Sequence, residues 1–168
     1  RLGYAESNPA ADIEGWDARR KLAILAHVSF GARLSDEALI PTTGISSLTP
    51  DDLRCARAFD GAVKLIAHAR VQKDQWNGWV SPAVVDCDSP LYGVSDVFNA
   101  VMVHGDCVGD CMFYGRGAGS LPTASAVVGD VIDAAQHLNT PKQEMDFEVI
   151  PAFTLDKEAR TNWLVRVM

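Results

Sequence analysis

Between Gly15 and Gly31 the pattern is that of one helix, with its charges gathered at the start and apolar residues behind them. Asp17, Arg19, Arg20 and Lys21 occupy the first two turns, and Leu22 to Phe30 is nearly all apolar. Such a helix is expected to be buried along most of its length. Its charged end then faces solvent, a partner domain or a cleft. Ahead of it, residues 1–14 read as irregular and acidic, with a turn at Asn8-Pro9. Residues 33–48 read as a loop around Pro41 and Gly44.

Thr49-Pro50-Asp51-Asp52 has the marks of a second helix start: a hydroxyl cap, proline at the first position, and acids at the positive end of the dipole. This helix is expected to end near Phe59, before Asp60-Gly61. Val63 to Val71 and Trp79 to Val85 alternate as strands about a turn at Lys73-Asp74. Past a Pro90/Gly93 loop, Val97 to Val103 and Val108 to Tyr114 form a hairpin joined at His104-Gly105-Asp106. The glycine-rich run from Gly115 to Gly119 leads into a helix reaching about His137, with Ser120 or Thr123 as its cap. Residues 139–160 read as a polar connector, and Trp163 to Met168 resumes a strand pattern. The fold class expected is α+β: a mainly antiparallel, four-stranded mixed sheet covered on one face by helices.

Composition narrows the function more than the fold. A chain of 168 residues is one domain and a fraction, long enough to bury roughly 70% of its unfolded surface. With 48% hydrophobic and 22% charged residues it is neither disordered nor collagen-like. Fifteen basic and 22 acidic residues leave a net charge of −7, which argues against nucleic acid as the main partner. No apolar run reaches membrane-span length and no secretory pattern opens the chain, so a cytoplasmic location with no membrane partner is expected. Cys55, Cys87, Cys107 and Cys111 are too few for a disulfide scaffold. Cys107 and Cys111 are spaced to share a strand face, but nothing nearby completes a tetrahedral site, so they read as small buried thiols and no metal is assigned. The chain begins at Arg1 and stops at Met168 inside an apolar run, and it is expected to be a piece of something longer.

Two constellations could carry chemistry. Asp17 and Lys21 stand four apart on the first helix, hence on one face and within ion-pair reach. That spacing suits a surface pair of little energetic weight. It equally suits a lysine moving protons beside a carboxylate that orients it, with Glu6 and Asp12 on the incoming segment free to grip a substrate ammonium. Spacing does not choose between them. The second constellation is Gly115-Arg116-Gly117-Ala118-Gly119 before a helix. It lacks a P-loop ending and opens no βαβ unit, so alone it is a strand-to-helix turn. Its glycines and helix N–H groups still permit a phosphate to approach. Arg116 reads as structural or solvent-exposed. His27 reads as a core residue, whereas His68, His104 and His137 fall at element ends without evident partners. Trp16, Trp76, Trp79 and Trp163 are too scattered for a stacking platform.

The run Gly3-Tyr4-Ala5-Glu6-Ser7-Asn8-Pro9-Ala10-Ala11-Asp12-Ile13-Glu14-Gly15-Trp16-Asp17-Ala18-Arg19-Arg20-Lys21 resembles the signature of homoserine dehydrogenases in residue type and spacing. The similarity continues through Leu22 to Ala26, Gly44-Ile45-Ser46 with Thr49-Pro50, and Val97 to Val101. It extends to Phe113 through Gly119 with Pro122-Thr123-Ala124, and so covers residues 1 to about 137. The resemblance implies reversible reduction of L-aspartate 4-semialdehyde to L-homoserine by NAD(P)H, with NAD or NADP as the cofactor, on the route to threonine, methionine and isoleucine. It implies Lys21 as acid/base lysine with Asp17 holding it, Glu6 and Asp12 at the substrate's amino end, Tyr4 lining the pocket, and Gly119 against the dinucleotide. It implies a sheet of the glyceraldehyde-3-phosphate dehydrogenase-like C-terminal domain type and a homodimer, with strands 63–71 and 79–85 near the interface. On that basis residues 1–120 are expected to form the substrate-binding and dimerisation domain. Residues 121–138 would be a helix returning to a Rossmann domain outside this chain, and 139–168 a connector opening a possible ACT-type domain. The alternative is a non-catalytic dimerisation and substrate-binding module, inactive without the nucleotide domain.

Overall fold

The computed structural model describes residues 9–34, 36–72, 75–139 and 148–150, and these fall into two compact units. The first unit holds the described residues up to Asp86 together with 148–150, and the second holds 87–139.

The first unit opens on a single helical turn, α1 (Ala10–Ile13), where the sequence suggested irregular chain. Gly15 follows in the left-handed region at φ 76°, which only glycine adopts at no steric cost, and this lets α2 (Trp16–Phe30) start in a new direction. Gly31, also left-handed at φ 65°, closes α2 by donating its N–H to the His27 carbonyl. Beyond it lie β1 (Ala32–Leu34) and a 3₁₀ turn over Glu37–Leu39, so the expected 33–48 loop carries some structure of its own. Helix α3 (Pro50–Ala58) begins as anticipated, with a reciprocal capping box between Thr49 and Asp52. A long antiparallel ribbon completes the unit: β2 (Gly61–Gln72) against β3 (Gln75–Asp86), in register from Gly61 opposite Asp86 to Gln72 opposite Gln75. The expected turn at Lys73-Asp74 lies outside the described residues.

The core of this unit is Leu22 and Ala26 of α2 with Ile40 and Val80, flanked by Leu34, Leu65, Ala69 and Trp76. Leu65, Ala69, Trp76 and Val80 lie on one face of the ribbon by register. Val80 also fixes the 41–48 loop: its N–H donates to the Pro41 carbonyl and its carbonyl accepts from Thr43, both at 2.8 Å. Burial of α2 is narrower than its apolar run suggests. Leu22 and Ala26, four apart, are buried, whereas Ile24, Leu25, Val28 and Phe30 are exposed, Val28 by 74%.

The second unit is a hairpin and a helix. Strands β4 (Phe98–Gly105) and β5 (Gly109–Arg116) pair antiparallel through a turn at residues 106–108, slightly beyond the expected His104-Gly105-Asp106. Phe98 stacks on Tyr114 at 4.9 Å between ring centroids, and Arg116 lies over the Phe98 ring. Cys107 and Cys111 are exposed rather than buried thiols, one in the turn and the other on β5. Helix α4 (Ser120–Gln136) follows, and neither Ser120 nor Thr123 caps it; the cap position is Gly119, at φ 125°.

The class is α+β with antiparallel ribbons, but the ladders differ from expectation. The described strands pair as three two-stranded ladders, not as one four-stranded sheet. The third ladder is parallel and short, β1 with β6 (Glu148–Ile150), inside what reads as polar connector. Strand Trp163–Met168 lies outside the described residues. No helix among the described residues is long and apolar enough to cross a membrane.

Candidate active site

Helix α2 presents Asp17 and Lys21 on one face, one turn apart, and the structure joins them: Lys21 Nζ stands 2.6 Å from Asp17 Oδ2. Both side chains are about half exposed, at 55% and 41%. At that exposure the pair contributes only about 0.3–0.5 kcal/mol to stability. The helix would hold without it; what the structure shows is an ion pair at the open end of a packed helix. The packing is what makes the end rigid. One turn further on, Leu22 and Ala26 are nearly fully buried, so the backbone carrying Lys21 is anchored immediately below it.

Asp12 sits on α1, exposed, in the segment that joins α2 at the left-handed Gly15. Its carbonyl accepts from the Gly15 N–H at 3.2 Å, closing the turn against the joint. α1 packs on α2, so three of the expected site residues, Asp12, Asp17 and Lys21, share one small structural corner. Tyr4 and Glu6 lie outside the described residues. Gly119 belongs to the second unit, where it caps α4 with φ 125° and ψ 152° and accepts the Thr123 N–H at 3.1 Å. With no side chain on the cap, the first-turn N–H groups of α4 have no side-chain acceptor, which suits an incoming anion. Arg116, rated structural or exposed, is exposed and spends its guanidinium on the Phe98 ring.

Sequence reasoning passed over the loop that touches this corner. Ile45 donates its N–H to the Ile13 carbonyl at 2.8 Å, and Gly44 lies flat against Ile13 and Glu14. The signal was present as Gly44 within a Pro41–Gly44 loop, but a loop glycine does not announce which backbone it approaches. Arg20 pairs with Glu37 at 3.4 Å, which tethers the 3₁₀ turn to the same helix. The histidines found partners the sequence did not suggest. His104 meets Asp110 at 2.6 Å, His137 contacts Asp133, and His68 stacks on Trp79 at 5.4 Å.

The chain is similar to known proteins in both sequence and fold. A family model for homoserine dehydrogenase matches residues 1–132. The chain is 43% identical over 141 residues to a homoserine dehydrogenase of Mycobacterium tuberculosis, covering 81% of this chain and 32% of that protein. Its fold resembles a homoserine dehydrogenase structure from Thiobacillus denitrificans, with a TM-score of 0.79 and 37% identity over 90% of this chain and 38% of that one. It also resembles a hyperthermophilic archaeal homoserine dehydrogenase mutant solved in complex with NADPH, with a TM-score of 0.61 and 31% identity over 82% of this chain and 38% of that one. The chain thus spans about a third of the length of the curated relatives it matches. By sequence and by fold, it belongs to the homoserine dehydrogenase family.

Proposed function

We propose that this chain is the catalytic-domain portion of an NAD(P)-dependent homoserine dehydrogenase, which reversibly reduces L-aspartate 4-semialdehyde to L-homoserine. The observation that carries the reading is the Lys21–Asp17 pair, formed at 2.6 Å on the end of a helix anchored by Leu22 and Ala26. In the reductive direction Lys21 donates a proton to the carbonyl oxygen as it becomes a hydroxyl; in the oxidative direction the lysine takes that proton back. Asp17 holds the ammonium so that the proton leaves along one line. Asp12, with Glu6, binds the substrate's α-ammonium, and Tyr4 lines the pocket. A bound NAD or NADP supplies or accepts the hydride. Gly119 meets it with bare backbone, and the uncapped start of α4 offers N–H donors to its phosphates. A relative's structure in complex with NADPH supports a nicotinamide cofactor without deciding between the two forms here.

In this reading residues 1–120 form the substrate-binding and dimerisation domain, of the glyceraldehyde-3-phosphate dehydrogenase-like C-terminal type. Residues 121–138 return to a nucleotide-binding domain, and 139–168 lead towards an ACT-type module. The exposed Leu121, Val127, Val128, Val131 and Ile132 of α4 support such a covering domain, since a 17-residue helix with no buried residue needs one. A homodimer through the β2–β3 ribbon belongs to the same reading. The enzyme then works in the cytoplasm, in threonine, methionine and isoleucine biosynthesis.

The second reading, a non-catalytic dimerisation and substrate-binding module, is favoured by the share of the relatives' length that the chain spans. An assay of NADPH oxidation with aspartate semialdehyde separates the two. A full-length homoserine dehydrogenase carrying this segment in place of its own should turn over, and the 168-residue chain alone should not. Turnover by the chain alone would remove the module reading. A dead full-length enzyme, correctly folded, would remove the catalytic one.

A further inference from the structure

Two glycines border the corner between α1 and α2. Gly44 has no room for a side chain: a Cβ there would stand 2.5 Å from the Ile13 carbonyl oxygen and 2.6 Å from Glu14 Cα. Both are backbone atoms and cannot swing aside, and the Glu14 carboxylate presses on the same spot at 2.9 Å. The adjacent Ile45 N–H donates to that same Ile13 oxygen at 2.8 Å. From the other side, Gly15 turns the chain at φ +76°, and a Cβ on it would meet Thr42 Cγ2 and Val80 Cγ1, each at 3.2 Å. The loop touching both glycines is itself pinned to the core strand, through Val80 to Pro41 and Thr43.

We infer that the 41–48 loop is a positioning clasp for the substrate: Gly44 seats on Ile13 and Glu14 while Thr42 borders Gly15, so that α1, bearing Asp12, is fixed against the end of α2 that bears Asp17 and Lys21. α1 is one turn long and fully buries none of its residues, so its contact with α2 is slight. The joint at Gly15 is a single residue. What sets the direction of α1 is therefore the loop lying on Ile13 and Glu14, the two residues directly after Asp12. This rests on Asp12 being a carboxylate that binds the substrate ammonium. That contact is made equally in ground state and transition state, so losing its alignment raises KM and spares kcat. A displacement on the order of 1 Å is enough to matter, since misplacements of that size cost enzymes about 100-fold.

The test uses a full-length homoserine dehydrogenase carrying this segment. Asp12→Asn and Gly44→Ala should each raise KM for aspartate semialdehyde about tenfold, with kcat kept within about threefold. The double variant should be no worse than the worse single one, because both act on one contact. Gly93→Ala, at a glycine with open space around it, should change nothing. If Gly44→Ala does not fold, Gly15→Ala probes the clasp from its other side. There Thr42→Ser, which deletes the methyl that the new Cβ meets and keeps the hydroxyl bonded to Ile40, should recover part of the lost affinity. Native KM in Gly44→Ala beside a raised KM in Asp12→Asn overturns the clasp and leaves the Asp12 reading standing. So does a loss of active enzyme that follows the folded fraction at constant KM, or a Gly15→Ala defect that Thr42→Ser does not relieve. Native KM in Asp12→Asn removes the reading of Asp12, and the clasp with it.

Discussion

Replacing Lys21 by methionine keeps the aliphatic stem and the helix propensity and removes only the ammonium. The structural consequence is small and can be bounded. The Lys21–Asp17 pair is about half exposed on both sides, so its loss costs about 0.3–0.5 kcal/mol, or roughly 1–2 °C in Tm for a domain of this size. The catalytic consequence, if Lys21 moves the proton, is about 100- to 10,000-fold in kcat. That is about 2.7–5.4 kcal/mol in the barrier, several times anything the ion pair contributes to folding. The two effects differ enough to be read separately. Steady-state NADPH oxidation with aspartate semialdehyde, in a full-length enzyme carrying the segment, gives kcat and KM, and thermal unfolding gives the structural part. KM should hardly move, and a small added amine should restore part of the rate. Asp17→Asn should lower kcat less, because it leaves the proton carrier in place and loses its orientation. A folded Lys21→Met enzyme with unchanged kcat refutes the assignment and returns the pair to a surface salt bridge.

Three further predictions concern the scaffold of the chain itself. Thr49→Ala removes one half of the capping box on α3 and should lower stability by about 1 kcal/mol in urea unfolding; in a double variant with Asp52→Ala the losses should not add, and additive losses would count against a reciprocal cap. Gly61→Ala should destabilise by about 1–3 kcal/mol, because its Cβ would stand 2.5 Å from Val84 Cγ1, and Val84→Ala should relieve it; its neighbour Asp60, left-handed at φ 53°, should instead gain a few tenths of a kcal/mol as glycine. His68 has its pKa held below the ordinary histidine value, first by burial and then by Arg70. A depressed native pKa means that the unfolded chain binds the proton more readily, so this contribution is complete above about pH 6.5 and is lost as pH falls through the native value. Denaturant midpoints between pH 7 and pH 5 should fall less steeply in His68→Gln than in the parent, and identical slopes would exclude His68 as the source.

What could be read from the sequence divides by the range of the interaction that decides it. Helix α3 was legible down to its cap, because Thr49, Pro50 and Asp52 decide its start among themselves. The ribbon β2–β3 was legible for the same reason, since strands joined by a short connection have one simple register. The β1–β6 ladder was not, because three-residue strands carry no periodic signal and their partners lie more than a hundred residues apart. The width of burial on α2 was misjudged too. Apolar residues from Leu22 to Phe30 state a need for cover, but only neighbours in space decide which are covered: Leu22 and Ala26 alone among them are buried, while Phe30 meets Trp76 of the ribbon edge-on and stays exposed.

The site repeats that division at closer quarters. Asp17 and Lys21 could be found because a helix converts a spacing of four into a shared face, and the 2.6 Å contact follows from the spacing. Asp12 could be named only through its motif, for nothing local fixes where a one-turn helix points. The residues that do fix it are glycines, which contribute no functional group and are visible only as the absence of a Cβ that would collide. A search for chemistry-bearing side chains therefore finds the Asp17–Lys21 pair and passes over the backbone contacts at Ile13 and Glu14, next to Asp12. Thr42 is where that account is most exposed. It carries no catalytic group, and a Cβ placed on Gly15 would meet its methyl at 3.2 Å. Were the corner held by α1 alone, no change at Thr42 could alter the affinity of a Gly15→Ala enzyme for its substrate.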